Sequence, residues 1–320
     1  MNRKNLILIS AVIIFLPALV FSQPSKKNAD LKRSFNLAGK RLPEKKFYIV
    51  ESKFENIALN GKRSGFTVYK LFLKCTPSKL AGQDGDVYTC SKFLVNTGDT
   101  AIVEIPALKD WSYVFGIIQS GIDEKGQLFG IDHAKFENLV DGKGKRIPQD
   151  KAYMTYNTFI DFHTFCNVFA EKTFDGGGIQ KLKKIGDRII HSSANSQPPL
   201  NLGSNISEVS YFKNGEITLT FKGLSLVNKA ECALVGFDSG ESSFYIRMQP
   251  SSDLTIETKG GSHYKGDLYI DLKTYWIKKV IMDEFVVAET KLPFPPATVH
   301  SVTERNTVVR DVSEKEFNME

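Results

Sequence analysis

Cysteine is scarce in this chain. The four among 320 residues stand at Cys75, Cys90, Cys166 and Cys232, and no two have the close spacing of a zinc site. Histidine numbers only five, with no His-Glu-x-x-His and no paired-histidine signature. A Gly-x-Ser-x-Gly elbow, a phosphate loop and a dinucleotide fingerprint are all missing. The Gly-Lys pairs at Gly61, Gly142 and Gly144 lack the rest of a phosphate loop, and Asp84-Gly85-Asp86 lacks EF-hand spacing. The expectation is therefore no cofactor and no metal. An excess of one charge is missing too. The 42 basic and 36 acidic residues are spread along the chain, whereas a nucleic-acid binder concentrates Lys and Arg on one face.

Long apolar runs are confined to the start. Arg3 and Lys4 precede an apolar stretch from Leu6 to Phe21, broken by Ser10 and Pro17, with Val20 and Ser22 placed for cleavage before Gln23. That is the layout of a secretory signal peptide. The run is shorter than the ~20 residues of a spanning helix. An exported protein of the periplasm or extracellular space is expected, with no transmembrane segment in the mature chain. Removing Arg3 and Lys4 leaves 40 basic residues against 36 acidic, a net charge of +4. In an oxidising compartment an even cysteine count favours disulfides. Cys75 with Cys90 and Cys166 with Cys232 are the expected pairs, with four buried thiols as the alternative.

What the chain has in quantity is strand pattern. Ile217-Thr218-Leu219-Thr220-Phe221 and Leu268-Tyr269-Ile270-Asp271-Leu272 alternate apolar with polar residues, the period of a strand with one buried face. Tyr275 to Val287 continues it, and Thr298 to Val312 supplies one last strand. Phe47 to Val50, Phe66 to Leu73, Val87 to Val95, Ala101 to Ile105, Trp111 to Phe115 and Gln127 to Ile131 read as further strands. Turns are marked by Asn60-Gly61, Gly82 to Asp86, Asp123 to Gly126 and Asp141 to Gly144. Lys53-Phe54-Glu55-Asn56-Ile57 and Lys135-Phe136-Glu137-Asn138-Leu139 echo each other as two strand-and-turn pieces.

The middle differs. Pro148 opens Gln149 to Glu171, where Tyr153, Tyr156, Ile160, His163 and Asn167 recur at helical spacing; a strand fits its composition almost as well. Ile179, Leu182, Ile185 and Ile189 form a second helical stripe, with Lys181, Lys183, Lys184 and Arg188 mostly off it. Such a stripe packs on the protein's own sheet more often than on a membrane.

Two places invite a catalytic reading. Asp238-Ser239-Gly240 matches the Asp-Ser/Thr-Gly motif of aspartic proteases, which need two such aspartates, and no second copy exists. A hairpin turn is the expectation. Asp161, His163, Cys166 and Asn167 cluster in sequence. On a helix His163 shares a face with Asn167, and on a strand with Asp161. Neither gives three ligands, so a structural histidine beside a disulfide is expected. Asp132-His133 and His263 read as isolated surface or packing residues.

From Glu216 to Val287 the order of strands, the polar loop and the Asp271-Leu272-Lys273-Thr274 turn before a long strand resemble the envelope half-barrel proteins of the LolA lipoprotein-carrier and LprG type. The resemblance implies an incomplete barrel wrapped on a helix, with an apolar cavity for acyl chains, and carries over no individual site residue. The fold expected is mainly β (α+β), a curved antiparallel sheet or half-barrel with one or two covering helices. Its parts are a signal peptide (1–22), flexible leader (23–46), β region (47–147), helical and aromatic connector (148–200), β region (201–312) and frayed tail (313–320). The two β regions could form one continuous domain. The function expected is non-enzymatic binding of a lipid or other hydrophobic ligand. Its lining is Ile217, Leu219, Phe221, Leu268, Ile270 and Leu272, with Tyr156 and Phe159 in a lid. The alternative is a structural or surface-interaction module in which those residues fill a core. A hydrolase around Asp238 or His163 comes third.

Overall fold

The computed structural model describes residues 30–82, 84–98, 102–115, 130–198, 206–251, 254–293 and 295–320. The signal segment and the turn expected at Asp123 to Gly126 lie outside them. The chain divides into one unit ending at Arg33 and a second, Ser34–Glu320. The second carries the sheet.

Among the described residues there are thirteen strands: β1 (Lys46–Ile57), β2 (Arg63–Thr76), β3 (Asp86–Asn96), β4 (Val103–Glu104), β5 (Trp111–Phe115), β6 (Arg188–Ile190), β7 (Tyr211–Lys213), β8 (Thr218–Val227), β9 (Ala230–Asp238), β10 (Ser243–Ser251), β11 (Leu254–Asp271), β12 (Ile277–Pro293) and β13 (Pro296–Asp311). They form one open, curved antiparallel sheet in the order β4-β3-β2-β1-β13-β12-β11-β9-β8-β6. β5 also pairs with β3, β10 with β11, and β7 with β10. The two β stretches are joined where β1 pairs with β13, from Tyr48 opposite Asp311 to Ile57 opposite Val302.

Alternation fixes which face is buried. Tyr48 and Val50 of β1, Leu71 and Leu73 of β2, Val280 and Met282 of β12, Leu268 and Ile270 of β11, and Val309 of β13 all enter one core cluster. The side chains between them face outward. The single long helix, α1 (Gln149–His163), lies on this inner face. Pro148 occupies its N-cap and Asp150 its first turn, where a missing N–H costs nothing and a negative charge suits the dipole. One π-type turn, Thr164–Val168, extends it. Phe159 stacks on Phe93, Phe162 packs edge-on against Tyr48 and Tyr88, and Phe165 stacks on Phe237. Burying each ring contributes roughly 1.5–3 kcal/mol.

Several local expectations are corrected. The stripe from Ile179 to His191 is not a helix: a 3₁₀ turn at Ile179–Lys181 leads into β6. Asp187 accepts from the N–H groups of Lys183 and Lys184, and Gly186 has φ +96°; both close a turn. The echo at Lys135 to Leu139 falls in a 3₁₀ turn, His133–Phe136, so only the first copy is a strand. The leader is not free from Ser34 on, because Phe35 and Leu37 are buried in the core. The tail is an ordered helix, α2 (Glu314–Met319), capped by Ser313, with Phe317 packed on Phe72 of the outer face.

Candidate functional site

The residues expected to line a cavity are in the core. Ile217, Leu219, Phe221, Leu268 and Ile270 are fully buried, and Leu272 packs half-buried against them. Tyr156 and Phe159 do not close over that lining. Phe159 packs edge-on against Phe136, Trp111 and Tyr113, and Tyr156 edge-on against Phe136, at the amino-terminal half of the sheet. Phe35 from the strap before β1 packs on Phe221 at 5.2 Å, while Phe165 and Phe169 lie on Phe237. The lower part of the inner face is thus covered by the protein's own rings.

Beyond the helix the inner face continues uncovered by the core. Even-numbered positions of β10, β11 and β12 bring Phe244, Ile246, Met248, Ile256, Val286 and Ala288 to it, together with Thr258 and Thr290. These side chains are half-buried, and none of the apolar ones belongs to the core cluster or packs on it. The Thr258 and Thr290 hydroxyls satisfy one another at 3.0 Å. No charged residue occupies an inward position here between Val286 and Leu292 of β12. The opposite face of the same strands carries Lys259 paired with Glu289 at 3.1 Å, Glu257 bonded to Tyr245, and Arg247. The uncharged shelf runs for about 20 Å along β12, at ~3.3 Å per residue, and about 10 Å across three strands. An open groove of about 510 Å³ lies at the same level on the opposite, charged face, its lining including Tyr211, Ser243, Gly261, Val287, Lys259 and Glu289.

Below the shelf sits a buried charged triad. Arg305 of β13 reaches Asp161 of α1 at 2.5 Å and Glu284 of β12 at 2.5 Å. Its guanidinium lies 5.6 Å from the centre of the Phe54 ring. Burial pushes the Asp161 carboxyl up to about 6 against the opposing pull of Arg305, and Glu284 pushes in the same direction as burial. Arg305 and Glu284 were missed from sequence. Their signal was present: each is a charged residue at an inward position of an alternating strand.

His163 faces the other way. Its Nε2 bonds the Tyr113 hydroxyl at 2.7 Å and its Nδ1 the Asn167 amide oxygen at 3.1 Å. Asn167 donates to Tyr88 and to Glu171, and Glu171 pairs with Arg41 at 2.6 Å. Arg41 donates to the Cys166 carbonyl and stacks over Trp276. Burial drives the His163 imidazole down to about 3, so it is neutral. Asp161 and His163 therefore serve separate clusters. Among the described residues no three His, Cys, Asp or Glu side chains converge as metal ligands.

All four cysteines are free and buried. In the β2–β3 register Cys75 faces Tyr88 and Cys90 faces Leu73. The two are diagonal neighbours, roughly 7–8 Å apart, beyond the reach of a disulfide. Cys232 sits opposite Asp271 on β9, whereas Cys166 lies beside Arg41. Asp238 caps its turn, accepting from the Gly240 N–H at 2.9 Å, and also holds His263 at 2.8 Å. His263 is thus paired rather than isolated, on the exposed face.

No family model and no curated protein matches the chain. Among solved structures, a Vibrio parahaemolyticus domain assigned to outer membrane lipoprotein sorting aligns with 85% of this chain and 89% of its own. The identity is 11% and the TM-score 0.14. A superposition that loose defines no shared fold. Among the described residues no helix is long and apolar enough to cross a membrane.

Proposed function

We propose that the chain is a non-enzymatic envelope protein that binds a lipid or other hydrophobic ligand on the shelf formed by β10, β11 and β12. One observation carries the reading: an apolar, charge-free inner face continues past the filled core, while the reverse of the same strands is charged. Apolar surface with a few hydroxyls is the usual lining of such sites. The leader sequence from Arg3 to Ser22 supports export. The ligand surface differs from the one alternation first suggests, because the strap and the turn that follows α1 occupy that one.

Native mass spectrometry of protein purified without detergent tests the reading. Wild type is expected to carry an added mass that dissociates as lipid, and Ile246→Asp with Val286→Asp is expected to lose it. A clean apo mass for wild type would favour the second reading, a scaffold without cargo. That reading draws support from the complete burial of Ile217, Leu219, Phe221, Leu268 and Ile270.

A further inference from the structure

The buried triad is unbalanced. Two carboxylates, Asp161 and Glu284, face one guanidinium, Arg305, and all three side chains are at most 10% exposed. It is also the charged link between the helix and the sheet: Asp161 belongs to α1, Glu284 to β12 and Arg305 to β13. The remaining groups around it are Tyr153 of the same helix, Tyr264 of β11 and the Phe54 ring of β1. Among the described residues no second cation enters this set. With both carboxylates ionised, the site holds one uncompensated negative charge away from water, which is costly.

We propose that the Asp161–Arg305–Glu284 cluster is a proton-dependent clamp on α1, closing the helix onto the sheet in acid and loosening it as the pH rises toward neutrality. When Asp161 carries a proton, Arg305 and Glu284 remain as a neutral ion pair and the protonated carboxyl still bonds the guanidinium. When it ionises, the extra charge is relieved by moving Asp161, and with it α1, toward water. The sign follows from linkage. Asp161 is raised above the usual carboxylate range to about 6, so its contribution is full below that usual range, is lost as the pH rises from there to about 6, and is gone above it. His163, two residues on, is neutral throughout and adds no step. The clamp needs no ligand, so it stands or falls apart from the lipid-binding reading.

Hydrogen exchange of the α1 amides from Tyr153 to His163, corrected for intrinsic rates, measures the clamp in the full chain. Protection is expected to fall between about pH 4, the ordinary carboxylate value, and about 6, by at most tenfold per unit, the limit for one proton, and to level off above that. Asp161→Asn keeps the contact and removes the titration, so its protection should be flat. Glu284→Gln removes the like charge and should move the fall to lower pH while leaving the helix docked. It serves as the test if Asp161→Asn does not fold. A wild-type profile that is flat, an equal fall in Asp161→Asn, or an unmoved midpoint in Glu284→Gln overturns the proposal.

Discussion

Arg305 is the residue on which the two buried carboxylates beneath the shelf depend. Taking it away strands Asp161 and Glu284 in the interior, and leaving a buried charge unpaired typically costs about 3–5 kcal/mol. Arg305→Met should therefore lower the urea midpoint sharply. Replacing all three members together with Leu or Met should cost far less, because no charge is left behind. The cysteines give a second prediction at this scale. All four are free and buried, so a thiol reagent should find none in the native protein and four per chain in denaturant without reductant. Fewer than four would restore a disulfide. Sequence reasoning paired them by compartment and count, but pairing depends on register, and register puts Tyr88 rather than Cys90 opposite Cys75. Arg305 and Glu284 were legible in principle, since period two places both inward. Their partner on α1 was not, because helix-to-sheet contacts leave no mark in strand periodicity.

The strap before β1 is the element whose role the sequence concealed. Its composition is polar and basic, yet Phe35 and Leu37 are buried and the Trp276 indole donates to the Leu42 carbonyl at 2.8 Å. Gly39 makes the passage feasible: a Cβ there would stand 2.1 Å from the Tyr275 ring. Gly39→Val should lift the strap, expose Trp276 and shift its fluorescence to the red. An unshifted spectrum would show that the ring gives way instead. The α1 helix was readable because a proline start and three- or four-residue spacing agree. The stretch from Ile179 to His191 shows the converse. Its spacing suited a helix, but Asp187 and Gly186 make a turn, and short-range hydrogen bonds override a weak stripe.

At the scale of the whole molecule, the curved antiparallel sheet was legible from alternation, and so was its one-sided burial. The closure between the first and last strands was not, since β1 and β13 meet from opposite ends of the sequence. That closure lets one sheet carry a filled lower face and an open apolar upper one. Alternation marks both parts alike, so sequence placed the ligand surface at Ile217 to Leu272. Only packing separates residues that touch the helix from residues that do not.

Photo-crosslinking with a diazirine-bearing fatty acid, followed by peptide mapping, addresses the open upper face directly. The account predicts label on the peptides spanning Ser243–Ser251 of β10 and Val286–Leu292 of β12, competed away by excess unlabelled fatty acid. Label confined to other peptides, or none that competitor removes, would contradict it.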